Sequence, residues 1–503
     1  MVDRQQMARA SEAIRAFVTT PLDALLKHPA ERDPSTAALA LFHDTVETVP
    51  AYRDFLARHS IDPASIRTAA DFLTLPLTTK QSYVLAYPLP QLCTGGRIEH
   101  CDMVAVSSGS TGQPTFWPRF VTDELPTAVR FEQVFHDSFA ADIQSTLAVV
   151  CFALGNWVGG MFTAACCRHL AAKGYPITVV TPGSNRDEIF RAVRDLAPHF
   201  AQVVLLGYPP FLKDVIDGGR AAGIDWRPLN VKLVMAGEVF SEEWRSLIAE
   251  RIGASDPCYD FASLYGTADA GVLGNETPLS IAIRRFLSRT PEAARQLFGQ
   301  SRLPTLVQYD PLVRYFESLE DGTLIFSGRN GVPLVRYHIA DSGGIITHEA
   351  MLHFLAGWGF DPGDALAGHG WRGDRPLPFL YLFGRSNFAV SYFGANVYPE
   401  NVSVALEQPG IRDQVTGKFV LQAKEGLEEA PHLAIVVELA ADLAPEAVDA
   451  DAIAGAILDQ LLRLNSEFAN YTPAEYRRPR VTLRPAGDPE WFPPGVKHRY
   501  SRP

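Results

Sequence analysis

The stretch that decides the fold is SSGSTGQPT, residues 107–115, together with the apolar run Met103–Val106 directly before it. An apolar run that ends in a loop of glycines and hydroxyl side chains predicts a strand followed by a turn. The backbone of such a turn can approach a ligand closely, because glycine has no Cβ. Its successive N–H groups form a concavity that binds anions, and Ser and Thr hydroxyls add donors. The segment predicts a polyphosphate site, with a plain flexible linker as the alternative.

The ending of this loop excludes one kind of phosphate site. A Walker loop ends in Gly-Lys-Ser/Thr, and that ending is absent here. The overall charge excludes another class of protein, since a net charge of -12 argues against a general nucleic-acid binder. A nucleotide needs only a local positive site and remains possible. We therefore expect a small-molecule phosphate ligand and no nucleic-acid partner.

Length and cysteine pattern set the general class. With 503 residues, of which 47% are hydrophobic, the chain is expected to fold into two or more globular domains. The six cysteines form no C-x-x-C pair, so we expect neither a zinc site nor a disulfide framework. Free thiols are typical of a reducing compartment, and the N-terminus lacks the apolar core of a secretory signal. The sequence predicts a cytoplasmic protein.

One uncharged stretch, residues 143–167, is long enough to cross a bilayer. Several polar residues and three glycines interrupt it. We therefore interpret it as a buried strand over 147–154, a glycine-rich loop and a core helix that runs through Cys167. No membrane association is expected.

Apolar runs of strand length alternate with amphipathic helical segments from Val104 onward. The runs 177–180, 203–206 and 231–236 predict strands, and Ser241 is a suitable N-cap for the helix after the third. This alternation is typical of a parallel sheet in an α/β domain. Asp321-Gly322 then predicts a hairpin, and hence a small antiparallel β element.

The last section of the chain is long enough for a domain of its own. It contains a predicted strand over 433–439 and a predicted long helix over 453–468. We place the boundary near Asn387, giving a large α/β domain over residues 1–386 and a smaller α+β domain over residues 387–503.

Further motifs follow the phosphate segment in a fixed order. They are LTTK (77–80, before it), GYPPFLKDVI (207–216), AGE (236–238), LYGTADAG (264–271), PLVRYHIAD (333–341), LFGRSN (382–387), YFGANVYPENV (392–402) and PPGVKHR (493–499). Together with SSGSTGQPT they resemble the motifs of adenylate-forming enzymes, and most closely those of the phenylacetate–coenzyme A ligase branch. The likeness covers nearly the whole chain, from about residue 50 to 499.

The resemblance implies a large N-terminal domain, a mobile small C-terminal domain, and roles for individual residues. The nucleotide-binding residues it implies are Ser107, Ser108, Gly109, Ser110, Thr111, Gly112, Gly237, Glu238, Tyr265, Gly266, Thr267, Asp341 and Arg385. It implies Lys497, Asp269 and Thr111 as catalytic residues, with Thr111 and Asp269 also at a magnesium ion. Trp157, Ala236 and Ser263 would contact the acid, and Asn387 would be the hinge between the domains.

The implied chemistry explains these residue types. A carboxylate is a poor acylating agent until it attacks the α-phosphorus of ATP, which forms an acyl-adenylate and releases pyrophosphate. Catalysis is then mostly positioning and stabilisation of charge. Asp341 would accept the ribose hydroxyls, and Lys497 would reach the α-phosphate and the carboxylate oxygens. Rotation about Asn387 would then present the adenylate to coenzyme A. We predict an AMP-forming ligase of an aromatic acid that uses ATP, Mg²⁺ and coenzyme A. A homodimer is a further expectation.

Two positions depart from the family pattern and leave alternatives open. Asp269 replaces the usual glutamate and follows Ala268 instead of threonine, while Asn387 replaces the hinge aspartate. The acceptor is then open to a carrier-protein thiol, an amine, or an activated nitrite for diazotisation. A different class, a non-catalytic nucleotide-binding regulatory protein, is a further alternative.

Several single residues also have structural interpretations. Asp341 is alternatively a surface turn residue, Lys497 a solvated lysine near the terminus, and Trp157 an ordinary core tryptophan. Lys418, in the sequence TGK, mimics the C-terminal lysine motif, but we interpret it as a turn residue before a strand.

Overall fold

A computed structural model describes residues 4–27, 32–99, 101–107, 114–300, 302–367, 372, 375–385, 390–393, 395–424, 431–493, 498 and 500. The first third of the chain contains α1 (Arg4–Thr19), α2 (Leu22–Lys27), α3 (Pro34–Thr48), α4 (Pro50–Arg58), α5 (Ala69–Phe72), α6 (Leu89–Leu92), β1 (Met103–Val106), β2 (Phe116–Arg119), α7 (Val121–Gln133), β3 (Thr146–Val150) and α8 (Val158–Ala172).

The middle of the chain contains β4 (Ile177–Val180), α9 (Arg186–Leu196), β5 (Gln202–Gly207), α10 (Pro209–Ala221), β6 (Val231–Ala236), α11 (Glu242–Ile252), α12 (Pro257–Asp260), β7 (Phe261–Thr267), β8 (Gly271–Asn275), α13 (Pro278–Arg289), α14 (Pro291–Phe298), β9 (Thr305–Gln308), β10 (Arg314–Ser318), β11 (Thr323–Gly328), β12 (Leu334–Ile346), α15 (His348–Gly357), α16 (Pro362–Leu366) and β13 (Phe379–Arg385). The remainder contains β14 (Val390–Tyr392), β15 (Ala395–Val397), α17 (Pro399–Leu406), β16 (Val415–Lys424), β17 (His432–Leu439), α18 (Ala450–Leu464), α19 (Ser466–Tyr471) and β18 (Arg480–Arg484).

One large sheet organises the chain up to β13. Its strand order is β10-β11-β12-β13-β9-β8-β7-β6-β5-β3-β4. The strands β4, β3, β5, β6 and β7 are parallel to their neighbours within this group, whereas β8 to β13 pair antiparallel. The predicted α/β class is confirmed, and the predicted antiparallel element proves to be a continuation of the same sheet.

Both faces of the parallel strands are buried, as their nearly unbroken apolar sequences require. Side chains on one face pack against α7 and α8, including Ala148, Val204 and Val234. Alternate side chains on the other face pack against α9, α10 and α11. Ser241 caps α11 as predicted, since its Oγ accepts the N–H of Trp244 at 2.9 Å.

Three sequence expectations differ from the structure in their details. The strand predicted over 147–154 ends at Val150. The β1 and β2 strands form a separate hairpin, so the large sheet starts at β3 and not at Val104. The predicted helix over 453–468 breaks at Asn465, whose side chain caps α19 by accepting the N–H of Phe468 at 2.9 Å.

The residues after β13 form a second core. The sheet β16-β17-β18 packs against α17 and α18, and the buried side chains of this cluster lie between Tyr392 and Leu483. The predicted boundary at Asn387 lies outside the described residues and stays a prediction. Within the described part of the chain, no helix is long and apolar enough to cross a membrane.

Candidate active site

A large cleft opens at the carboxyl ends of the parallel strands. Its volume is about 3080 Å³, and it extends to residues of the C-terminal part of the chain. Ligands in open α/β sheets bind outside the carboxyl ends of the strands. Many of the predicted site residues line this cleft: Ser107, Trp157, Gly237, Glu238, Ser263, Tyr265, Gly266, Thr267, Asp269 and Asp341.

The two described ends of the phosphate segment, Ser107 and Thr115, lie next to each other at the end of the β1–β2 hairpin. The N–H of Ser107 donates to the carbonyl of Thr115, and the N–H of Thr115 donates to Ser107 Oγ, both at 3.0 Å. The buried Thr115 Oγ1 has no hydrogen-bond partner among the residues that the structure describes, so it can serve a ligand at this position. The predicted residues Ser108, Gly109, Ser110, Thr111 and Gly112 lie outside the described residues.

Two tyrosine–aspartate pairs line the cleft between the β7 and β12 segments, which are not adjacent in the sheet. Tyr265 donates its hydroxyl to Asp341 Oδ2 at 2.6 Å, and Tyr337 donates to Asp269 Oδ2 at 2.7 Å. Each pair joins the LYGTADAG motif on β7 to the PLVRYHIAD motif on β12. Asp269 and Asp341, which lie 72 positions apart in the sequence, therefore both line the same cleft.

Asp341 is buried, which contradicts its interpretation as a surface turn residue. It lies on β12 directly across from Arg385 on β13, as partners in the antiparallel register. The backbone thus places the predicted ribose-binding aspartate beside the predicted arginine. The Arg385 side chain lies outside the described part of the structure.

Two buried arginines that the sequence motifs did not reveal support the loop that carries Asp269. Arg119 donates to the carbonyl oxygens of Ala268 and Asp269, and Arg314 donates to that of Ala270 at 3.0 Å. Burial lowers the pKa of the Arg119 guanidinium, while the negative charges of Asp123 and Asp269 oppose this shift. No local pattern marks these arginines, because their partners are backbone carbonyls distant in the chain.

The backbone of the same loop explains two motif residues in structural terms. Thr267 Oγ1 accepts the N–H of Ala270 at 3.1 Å, which closes the turn. A Cβ at Gly266 would lie 2.6 Å from the carbonyl oxygen of Gly271, so only glycine fits between β7 and β8. Their predicted contacts with nucleotide stay predictions.

The AGE segment begins where β6 ends at Ala236. Gly237 has φ +85°, and a Cβ there would lie 2.8 Å from the Tyr208 ring. Glu238 Oε2 accepts the hydroxyl of Tyr500 at 3.0 Å. Burial raises the pKa of the Tyr208 phenol, and the Glu238 carboxylate raises it further. The segment is therefore held tightly against an aromatic ring on one side and the C-terminal part of the chain on the other.

Ser263 and Trp157 both line the cleft, but Ser263 is buried and Trp157 is exposed. The N–H of Ser263 donates to the Glu276 carboxylate at 2.8 Å, and its carbonyl accepts the N–H of Glu276 at 2.7 Å. The same carboxylate accepts from the fully buried Arg245 at 2.6 Å. Trp157 is 42% exposed and forms a β-bridge with Val106 beside the phosphate segment. Its interpretation as a core tryptophan is wrong, because the ring is at the mouth of the cleft.

Three further predicted residues have different outcomes. Lys497 and Asn387 lie outside the described residues, so their roles stay predictions. Lys418 is not a turn residue as expected, because it lies within β16. Its ammonium group pairs with Asp214 at 2.7 Å and with Glu438 at 3.2 Å, and burial would be unfavourable without these partners.

The cleft provides donors that fit a magnesium ion. Mg²⁺ prefers oxygen ligands, keeps several waters and commonly uses one or two protein carboxylates. Asp269 retains acceptor capacity beyond its bond from Tyr337, since a carboxylate has about four lone-pair positions. The described residues contain no group of three or more His, Cys, Asp or Glu that could hold a metal. Asp269 is therefore the described residue that could hold a magnesium ion.

Comparisons with known proteins agree with this geometry. The chain is 24% identical over 453 residues to the phenylacetate–coenzyme A ligase of Thermus thermophilus, covering 88% of this chain and 89% of that one. No family model matches. The fold is similar to that of 2-hydroxyisobutyryl-CoA ligase in its postadenylation state, with a TM-score of 0.63, 16% identity, and coverage of 94% and 89% of the two chains.

A second structure of the same enzyme, described as its thioesterification state, gives a TM-score of 0.53 at 16% identity, with coverage of 97% and 91%. The fold is thus that of the adenylate-forming enzymes, a large N-terminal and a small C-terminal domain around a cleft. The predicted resemblance to this superfamily, and within it to the phenylacetate–coenzyme A ligase branch, is confirmed.

Proposed function

We propose that this protein is an AMP-forming acid–coenzyme A ligase. In the first half-reaction a carboxylate oxygen attacks the α-phosphorus of ATP, forming an acyl-adenylate and releasing pyrophosphate. In the second, the coenzyme A thiol attacks the acyl carbon, the thiol proton is lost, and AMP leaves. The observation that carries this proposal is the pair of part-buried contacts Tyr265–Asp341 and Tyr337–Asp269 in one cleft. The chain is also 24% identical to a phenylacetate–coenzyme A ligase over 453 residues.

The residue roles proposed next come from the resemblance to adenylate-forming enzymes, and for Ser107, Asp269 and Asp341 their places in the cleft support them. Asp341 accepts the ribose hydroxyls, and the AGE segment contacts the base. Ser107 and the glycine-rich residues after it bind the β- and γ-phosphates. Asp269, with Thr111, holds magnesium, which neutralises charge on the departing pyrophosphate. Lys497 stabilises the charge that develops between the acid and the α-phosphate, and the small domain turns about Asn387 for thiol transfer.

The acid is proposed to be aromatic. The exposed Trp157 and the buried Ser263 line the cleft on the large-domain side, and Ala236 ends β6 directly before the lining residue Gly237. A flat ring gains area by stacking on tryptophan, while the carboxylate end needs few polar groups. This supports an aryl acid over a short alkyl acid or an inorganic oxyanion.

The first experiment measures exchange of pyrophosphate into ATP with a panel of aryl acids, alkyl acids and nitrite. Coenzyme A is then added to each acid that gives exchange, and thioester is detected by mass. We expect exchange with an aryl acid and thioester only when coenzyme A is present. Exchange without thioester would indicate another acceptor, such as a carrier-protein thiol or an amine. Lack of exchange with every acid would refute the ligase.

Lys497→Ala separates a ligase from a non-catalytic nucleotide-binding protein. We expect the exchange rate to fall by about 100-fold or more, since electrostatic groups of this kind contribute on that scale. ATP binding, measured by calorimetry, should change little. Lys424→Ala at the end of β16 is the matched control. Unchanged exchange in Lys497→Ala would refute the role given to this lysine.

The cytoplasmic location and the homodimer also stay proposals. Light scattering after size-exclusion chromatography tests the second, since a dimer has twice the 55.2 kDa mass of the chain. A single species at the mass of one chain would exclude it.

A further inference from the structure

Tyr500, close to the C-terminal end of the sequence, connects the small domain to the AGE segment, residues 236–238, which we call the nucleotide segment. Its hydroxyl donates to Glu238 Oε2 at 3.0 Å, and its carbonyl accepts the N–H of Leu421 on β16 at 2.8 Å. Its ring packs against Phe419, with 5.0 Å between centroids. One side chain thus bridges the sheet of the small domain and the AGE segment of the large one.

His498 anchors the same stretch of chain. Its Nε2 lies 2.7 Å from the carbonyl oxygen of Phe419, and because a carbonyl can only accept, this nitrogen carries the proton. Its ring contacts Tyr500 at 4.5 Å between centroids. Residues 498 and 500 therefore run along β16.

The small domain makes a second contact with the same part of the large domain. Glu407, just after α17, accepts the hydroxyl of Ser241, three residues beyond Glu238. From the other side, Arg284 donates to the Phe240 carbonyl at 2.7 Å. The segment 238–241 is therefore supported by the buried core of the large domain and held at both ends by the small domain.

We propose that Tyr500 is a positioning residue, which fixes β16 of the small domain against the nucleotide segment for adenylate formation. Its bond to Glu238 forms when the small domain is docked as in this structure and must break before the domain turns for thiol transfer. This inference rests on the proposed function. Tyr500 touches no reacting atom, and its effect passes through the backbone of residues 498–500 and through Glu238.

The test separates the two half-reactions in Tyr500→Phe, which removes only the hydroxyl. Pyrophosphate exchange reports adenylate formation, and a chemically synthesised acyl-adenylate mixed with coenzyme A reports thiol transfer alone. We expect kcat/KM for exchange to fall about 10-fold, the loss of a hydrogen bond to a charged group. The rate of thiol transfer should stay equal or rise. Tyr471→Phe is the control, since Tyr471 is 60% exposed and does not line the cleft.

A double-mutant cycle with Glu238→Ala tests whether the effect passes through this contact. Tyr500→Phe should cost about 10-fold in exchange with Glu238 present and almost nothing in the Glu238→Ala background. Equal losses in both half-reactions, unchanged exchange, or additive losses in the cycle would each overturn the proposal. A wild-type protein without exchange would instead refute the ligase function itself, so the two failures are distinguishable.

Discussion

The hydroxyl of Tyr265 lies 2.6 Å from the carboxylate of Asp341 and joins two strands of the large sheet inside the cleft. The bond orients the carboxylate that we assign to the ribose. Asp341→Asn keeps the shape but weakens acceptance from ribose hydroxyls. We expect the dissociation constant for AMP to rise about 10- to 100-fold, as for hydrogen bonds to a charged group. Calorimetric titration measures it.

The control for this substitution is Asp195→Asn, on the exposed side of α9. It should leave AMP binding unchanged. Equal AMP affinity in Asp341→Asn and the wild type would remove Asp341 from the nucleotide site.

Asp269 is expected to set the magnesium requirement. In Asp269→Ala the Mg²⁺ concentration for half-maximal exchange should rise about 10-fold or more, since a site with one or two protein carboxylates loses a main ligand. Tyr337→Phe should give a smaller rise, because Tyr337 only orients that carboxylate. Chelation with EDTA should abolish exchange.

Tyr315→Phe is the control for the tyrosine substitution, since Tyr315 is half-buried on β10 and does not line the cleft. An unchanged magnesium dependence in Asp269→Ala would contradict the assignment of Asp269 to the metal.

Gly237→Ala should lower the rate of pyrophosphate exchange through one steric contact in the cleft. The left-handed backbone costs any other residue about 1–2 kcal/mol, and the new Cβ would lie 2.8 Å from the Tyr208 ring. Gly223→Ala is a matched control, since Gly223 has φ +83° with no atom within 4 Å of the added Cβ. Both variants should lose stability on thermal unfolding through the left-handed backbone, and Gly237→Ala should lose at least as much as Gly223→Ala because it adds the contact with Tyr208. A loss of exchange is expected in Gly237→Ala alone, and equal activities would contradict the steric role.

Trp157→Ala should change acid selection and leave ATP use unaltered. Because the side chain is 42% exposed, its removal should cost little stability. We expect kcat/KM for an aryl acid to fall by about 10-fold, from the lost stacking area, with KM for ATP unchanged. Trp358→Ala, a 38% exposed tryptophan outside the cleft, should have neither effect. A rise in KM for ATP alone would place Trp157 at the nucleotide instead.

Glu407 is expected to make stability depend on pH. Burial raises the pKa of its carboxyl to about 8, Glu243 adds to the shift, and the bond from Ser241 and the charges of Arg284 and Lys213 oppose it. The folded state therefore holds a proton that the unfolded state has released between its ordinary value of 4.5 and about 8. The free energy of unfolding should fall as pH rises through this window.

Glu407→Gln keeps the size of the side chain and an oxygen that accepts hydrogen bonds, but the amide does not ionise in this pH range. Chemical denaturation at pH 5.5 and 8.5 compares it with the wild type. The wild type should lose more stability than the variant over this interval. Parallel losses in the two proteins would contradict the pKa shift.

Local patterns gave much of the fold correctly. The Ser241 cap of α11 depends on neighbours within four residues, and the Asp321-Gly322 turn joins two adjacent strands, so the signal for each is contained in the local sequence. The break at Asn465 was missed because its side chain also bonds Asn396 and Asn401, which lie far away in the chain.

By itself, the sequence determined much of the order of strands and helices, the candidate residues and the resemblance to adenylate-forming enzymes, because hydrophobic period, capping residues and motif spacing are properties of short segments. Only the tertiary structure decided which of those residues meet. The pairing of Tyr265 with Asp341, the support of the Asp269 loop by Arg119 and Arg314, and the contact of Tyr500 with Glu238 join residues 44 to 262 positions apart. Such contacts depend on strand order and burial, which place distant groups within hydrogen-bonding range.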